Sequence, residues 1–253
     1  NASLGNRQSN ANGSLNIGKG RFGFSSSGAL FYSLPVDAET NFLRTSLDDS
    51  EILYEYDGIT NSSRLGFNGS ASAFYDFNAY NAINTSVTFR GFGFDQEGEN
   101  TGTFLGDEFT RMTVGDNLFS GYDWNTDYTR KFEDNDKREF SMAVQLSGNI
   151  QDQNNTITET GFIDRQEDVI NDADNLEITS QIDYVHPVGK SNKLEIGAKS
   201  VIRNIDSYSE YKSNIDITNL FLYDQNVYAG YASYNFYFKK LNIVTGLRYE
   251  RTE

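Results

Sequence analysis

Residues 138–150 alternate between apolar and polar side chains with a period of two. On one side lie Phe140, Met142, Val144, Leu146, Gly148 and Ile150, and on the other lie Ser141, Ala143, Gln145, Ser147 and Asn149. A period of two predicts an extended strand with one apolar and one polar face. The same alternation recurs in residues 64–77, 83–94, 176–186 and 241–250, so the sequence predicts an all-β chain.

The connections between these strands alternate between short turns and long polar segments. Short turns are predicted at Gly18–Arg21, Asn78–Ala82, Glu133–Arg138, Pro187–Asn192 and Lys239–Lys240, and long loops at 34–63, 95–117, 151–175 and 205–222. Ten strands follow, near 5–17, 22–33, 64–77, 83–94, 118–132, 139–150, 176–186, 193–204, 223–238 and 241–250. Their length of roughly 10 to 16 residues exceeds the ~5 to 6 of a soluble strand and suffices for the ~9 to 11 of a membrane-spanning strand.

Charge is sorted in the same way as connection length. The four predicted loops hold 23 of the 36 acidic residues and 4 of the 21 basic residues, whereas the short turns carry lysine and arginine. One end of the structure is therefore expected to be acidic and the other mildly basic. The net charge of −15 argues against a nucleic-acid partner, because phosphate binding requires clustered cations.

Long strands with loops sorted by length to opposite ends are typical of an outer-membrane barrel. The sequence therefore predicts an antiparallel up-and-down transmembrane β-barrel segment of about ten strands, with short periplasmic turns and long extracellular loops. Val144 and Leu146 would then face lipid. The polar parity would face the lumen, and its candidate residues are Arg64, Asp76, Arg90, Gln145, Asp183, Arg248 and Glu250. Arginines and acids of this parity are expected to pair across strands.

Residue types needed for catalysis or metal binding are scarce. Cysteine is absent, and His186, the only histidine, precedes a proline at a strand end. No catalytic triad or multi-histidine metal site is predicted. Asp134 and Asp172 lie in acidic clusters that do not match a Ca²⁺-binding loop motif. We therefore expect no enzyme activity, no cofactor and no metal site.

Several short blocks of sequence, in a fixed order along the chain, are similar to those of a known protein family. They are Ser14–Arg21, Ser63–Phe67, Gln181–Pro187 with Lys193–Lys199, and Asn226–Tyr231 with Gly246–Glu250. Through these blocks the chain resembles the barrel part of Bacteroidetes-type outer-membrane β-barrel proteins related to TonB-dependent receptors. Such proteins carry a plug before the barrel and further strands after the last block. The resemblance implies that residues 1–253 are one barrel segment, part of a larger barrel.

The resemblance also implies a function and partners. We expect a protein of the bacterial outer membrane that takes up an unidentified scarce or bulky nutrient and is energised through a TonB-type protein. Its other partners would be outer-membrane lipid and lipopolysaccharide. Two alternatives stay open: a passive porin or structural barrel, and a soluble secreted β-protein acting as an adhesin or glycan binder.

Overall fold

The chain forms one antiparallel β-sheet in which each strand pairs with its neighbours in sequence. The fold comes from a computed structural model that describes residues 1–45, 52–161, 164–189, 191–238 and 240–253. The eleven strands lie in the order β1 to β11 without crossovers. Their bounds are β1 Ala2–Leu4, β2 Gln8–Lys19, β3 Phe22–Thr45, β4 Ile52–Asn78, β5 Asn81–Phe104, β6 Asp107–Phe132, β7 Asn135–Gly161, β8 Arg165–Val188, β9 Asn192–Lys212, β10 Ile217–Phe238 and β11 Leu241–Thr252.

This arrangement confirms the predicted all-β, up-and-down fold. The first predicted strand is divided into β1 and β2, which accounts for eleven strands where ten were predicted. Within the described residues β1 and β11 form the two edges and do not pair with each other, so the sheet is open. The same residues include no helix that is long and apolar enough to cross a membrane.

The four segments predicted to be long loops are strand instead. Strands β3 to β10 have 21 to 27 residues and run through most of these segments. The β5–β6 pairing continues without a register shift from Asn81 opposite Arg130 to Phe104 opposite Asp107. In the outer halves of β7 and β8 both faces are mostly polar, which removes the apolar period but leaves the backbone ladder intact. Residues 46–51 and 162–163 of these segments lie outside the described residues.

The five short turns are where the sequence predicts them. Each falls between consecutive strands, although Lys190 and Lys239 lie outside the described residues. At the opposite end, β5 and β6 are joined by only Leu105 and Gly106, whose φ angles are 51° and 92°. Positive φ at both central positions fits the hairpin turns that match strand twist. A leucine rarely adopts this conformation, because its Cβ is crowded there.

A β-bulge in β3 exchanges the faces of the sheet on which odd-numbered and even-numbered side chains lie. The register against β4 shifts between Ser33 and Val36, which leaves Leu34 and Pro35 as the irregular residues. Proline suits this position because it has no N–H for the ladder, and the Leu34 N–H bonds to the Arg7 carbonyl at 2.9 Å. An extra residue moves every later side chain to the other face. Asp37 therefore lies on the same face as the apolar residues of β3 that precede the bulge, and Phe42 lies on the opposite face.

The sheet has no second layer to form a core. Among the described residues only Phe109 and Ala229 are buried hydrophobic residues, while Ile182 and Leu247 are 45% and 86% exposed. We call the face that carries Val144, Ile182 and Leu247 the band face, and the face that carries Gln145, Asp183 and Arg248 the polar face. A water-soluble sheet would cover the band face with protein; here nothing in the described chain covers it.

Aromatic rings packed over glycines tighten the pairing of neighbouring strands. Five glycines lie directly opposite a ring in the register, and a Cβ at any of them would overlap that ring. The pairs are Gly23 with Phe74, Gly69 with Phe89, Gly91 with Phe67, Gly148 with Tyr122, and Gly197 with Tyr231. Each ring thereby packs flat on the neighbouring backbone and helps to specify the register.

Replacing Gly69 by alanine tests this packing. The new methyl group would displace the Phe89 ring, and overpacking of this kind costs about 1–3 kcal/mol. Gly230→Ala is the matched control, because it lies on the same face with nothing within 4 Å of its Cβ. Urea unfolding in lipid vesicles, followed by the fluorescence of the single tryptophan, Trp124, measures both. Equal stabilities of the two variants would contradict the packing role.

Candidate functional site

All seven residues predicted to face a lumen lie on the polar face. The register carries this parity from strand to strand: Arg64 lies opposite Phe94, and Arg90 lies opposite Gly121 on β6. Gln145 lies opposite Asn125 on one side and Thr179 on the other. Asp76, Asp183, Arg248 and Glu250 follow the same parity. The period of two is therefore sufficient to place these side chains on one surface.

One cluster of polar side chains connects three strands across this face. The Arg203 guanidinium on β9 forms an ion pair with the Glu177 carboxylate on β8. Its Nη1 also donates to Oε1 of Gln225 on β10 at 3.1 Å. This confirms the expected pairing of arginine and acid across strands at this position.

A second cluster is built over a glycine. The Tyr231 hydroxyl donates to Oδ1 of Asp183 at 2.5 Å, and it reaches across β9 because Gly197 has no side chain. Arg248 lies over the Tyr231 ring at 5.8 Å and pairs with Glu250 of its own strand at 2.7 Å. That last pair is within one strand, contrary to the expected pairing across strands. Among the described residues Arg64 and Arg90 form no ion pair.

The band face carries an apolar zone of limited height. On β7 it extends from Phe140 to Ile150, and on β8 from Tyr184 to Leu176. Ten residue steps at about 3.4 Å span about 34 Å of strand, or about 24 Å of height at a tilt of ~45°. Outer-membrane barrels carry a lipid-facing apolar band about 25 Å tall. Strands β3 to β10 extend well beyond this height.

Beyond the apolar zone the band face becomes an acidic belt. In the four segments predicted to be loops, fifteen of the acidic residues that the structure describes have band-face parity. They are Asp37, Glu39, Glu55, Asp57, Asp95, Glu97, Glu99, Glu108, Asp116, Asp152, Asp168, Asp172, Asp174, Asp206 and Glu210. The polar face of the same segments carries three acids, Asp107, Glu159 and Glu167, and three bases, Arg44, Arg111 and Arg165. The sequence predicted an acidic end but not this separation by face.

Like charges face each other directly within the acidic belt. The register places Asp95 opposite Asp116, and Asp152 opposite Asp172. Partial burial raises the pKa of Asp172, and the facing charge of Asp152 raises it further. Such pairs destabilise a sheet, so the belt costs folding stability. Across the described residues, no group of three or more acidic or histidine side chains is arranged to hold a metal ion.

Asp172→Asn is expected to stabilise the fold near neutral pH. Because the pKa of Asp172 is raised in the folded state, its charged form opposes folding above that pKa, and the penalty disappears as the pH falls below it. Removing the charge should raise the free energy of unfolding by about 0.5 kcal/mol at pH 8 and leave it unchanged at low pH. Asp37→Asn is the control, because Asp37 accepts a hydrogen bond from Asn61 at 2.6 Å. Urea unfolding measures the free energy of unfolding of both variants across the pH range. The same pH dependence in the two variants would contradict the account.

A cavity of about 680 Å³ lies on the polar face at the acidic end. Five rings line it, namely Phe42, Tyr54, Tyr56, Phe104 and Phe109. Phe42 stacks on Tyr56 and Tyr54 stacks on Phe109, each with centroids 5.3 Å apart. We call this the aromatic cavity. Sequence reasoning missed it, because its rings come from β3, β4, β5 and β6 and were assigned to loops.

Charged groups close one side of the aromatic cavity. Arg111 pairs with Glu159 and lies over the Tyr56 ring at 5.5 Å. Arg165 pairs with Glu159 at 2.8 Å and with Glu167 at 3.0 Å. Burial raises the pKa of Tyr54, so its ring stays uncharged at physiological pH. A second cavity of about 900 Å³ shares Phe42, Tyr56 and Phe109, but most of its lining has band-face parity.

Comparison with known proteins locates the chain in the outer membrane. Residues 130–253 match the family model described as the outer membrane protein beta-barrel family. No curated protein sequence matches. The beta domain of the Bordetella autotransporter Brka aligns at 10% identity over 97% of this chain and 96% of that chain, with a TM-score of 0.23. The Salmonella typhi OmpF complex with daunomycin aligns at 8% identity over 94% and 100%, with a TM-score of 0.13. These scores are too low to support any argument.

The family match and the apolar zone of the band face agree. The protein is a bacterial outer-membrane protein with an all-β, antiparallel sheet, and the height of the apolar zone matches the lipid-facing band of such proteins. The strands extend past the membrane at the acidic end, where the aromatic cavity lies.

Proposed function

We propose that the protein takes up a solute across the outer membrane in the manner of a TonB-dependent receptor. The observation that carries the proposal is the polar face. Its charged and amide groups continue along the strands through the height of the apolar zone, and the aromatic cavity lies at their outer end. A solute path needs a polar lining that excludes lipid, and the alternating parity supplies one.

The aromatic cavity favours energised uptake over passive flow. A pore that conducts freely must bind its solute weakly enough to release it. Stacked rings beside paired charges form a site suited to retaining a ligand, so release inward would require work. The coupling protein would be of the TonB type and would bind a part of the protein other than these strands.

A passive porin and a soluble adhesin are the two alternatives to energised uptake. A passive porin shares the same sheet and is the second candidate. Arg64 and Arg90 support it, because they form no ion pair within the described residues and would attract anions in a wet lumen. The soluble adhesin is excluded by the outer-membrane location. Lipid and lipopolysaccharide are proposed as neighbours of the band face, with lipid at the apolar zone and the sugar-rich outer leaflet near the acidic belt.

Planar-bilayer conductance of the full-length protein distinguishes uptake from a passive pore. A gated receptor should conduct little at rest, and a transient pulse of urea should open it, which also demonstrates insertion. The same preparation should bind the purified periplasmic domain of a TonB-type protein from its own organism. Steady conductance without urea, together with no binding to that domain, would overturn the proposal in favour of a passive porin.

A further inference from the structure

The aromatic cavity is assembled before any ligand arrives. Phe109 is only 7% exposed, and its ring is held against Tyr54. Gly102 lies between the strands of Tyr56 and Phe109, and a Cβ there would overlap the Tyr56 side chain. Tyr56 and Phe109 are therefore packed closely against the neighbouring strands. A preformed site loses little entropy when it binds.

Two rings and one leucine leave apolar surface open in the aromatic cavity. Phe42 is 44% exposed, Phe104 is 38% exposed and Leu105 is 58% exposed. They lie past the apolar zone, so lipid does not cover them. Leu105 also has a φ of 51°, where glycine or asparagine would be less strained. Leu105 lines the cavity from the β5–β6 turn, whose two-residue geometry accounts for this φ.

The charges of the aromatic cavity are mostly neutralised from within. Arg111 and Arg165 are held by Glu159 and Glu167. Arg44 also lines the cavity, is exposed, and has no ion-pair partner in the described parts of the chain. Within the described part of the chain, Arg44 is therefore the cation of the cavity that is available to a ligand. Of the uncharged polar groups, the Tyr54 hydroxyl is buried without a hydrogen-bond partner in the described residues. A neutral sugar, which carries several hydroxyls, would find few further partners beside it.

We infer that the aromatic cavity binds an aromatic carboxylate, with the ligand ring on Phe42 and Phe104 and its carboxylate on Arg44. This deepens the proposed uptake function, since it names the class of solute that the outer end of the path would capture. Arginine suits the task because its planar guanidinium binds a carboxylate through two parallel hydrogen bonds. The acidic belt holds its charges on the other face, so they do not line this cavity.

Isothermal titration with 2-naphthoate tests the inference, using full-length protein in lipid nanodiscs with empty nanodiscs subtracted. Binding should be saturable, and Arg44→Gln should weaken it about tenfold, while Arg44→Lys should recover part of the loss. Phe42→Ala should weaken it about 2- to 10-fold. Arg7→Gln, which removes an equal charge outside the cavity, should leave it unchanged. Heat-modified gel mobility checks that each variant is folded.

Ligand analogues decide what the cavity recognises. The neutral 2-naphthamide and the non-aromatic cyclohexanecarboxylate should each bind at least tenfold more weakly than 2-naphthoate. Equal binding of the amide, unchanged affinity in Arg44→Gln, tighter binding of maltose, or no saturable binding would overturn the inference. The outcome is separable from the uptake proposal: binding by a protein that conducts steadily preserves the cavity assignment alone, and TonB-domain binding without naphthoate binding preserves uptake alone.

Discussion

The uninterrupted antiparallel ladder is the constraint on which the rest of the structure depends. In a membrane no water is available for unpaired backbone groups, so each strand must find both partners in the sheet. Strands β4 to β9 satisfy this requirement along nearly their whole length, and they continue to do so beyond the apolar zone. Because the ladder sets every side chain alternately on one face or the other, a single residue's parity decides whether it meets lipid or the polar side.

This parity explains how opposite surfaces coexist on one thin sheet. On β8, Ile182 has band-face parity while its neighbour Asp183 accepts the Tyr231 hydroxyl on the polar face. Beyond the membrane the same rule separates the acidic belt from the aromatic cavity. The bulge at Leu34 and Pro35 is part of this separation, since without the extra residue Phe42 would lie on the band face and Asp37 on the polar face.

The membrane-spanning halves of the strands were predictable from sequence, and the outer halves were not. Alternation around Val144 and Gln145 suffices to predict a strand and its faces, and all seven predicted lumen residues share one face. Beyond Ile150 both faces are polar, so the sequence carries no periodic signal and the segments resemble loops. The aromatic cavity requires Phe42, Tyr54 and Phe109 to meet across three strands. That meeting depends on register and on a bulge, which local patterns do not report.

The central claim is that one parity of each strand contacts lipid only as far as the apolar zone extends. Because the chain has no cysteine, single cysteines can be placed at each position from 142 to 161 of β7 and spin-labelled in lipid vesicles. Collision with oxygen, which concentrates in lipid, should peak at even positions up to 150, and collision with a water-soluble nickel chelate should peak at odd positions there. From 152 onward the chelate should reach both parities. Equal chelate access at even and odd positions below 150 would contradict the account.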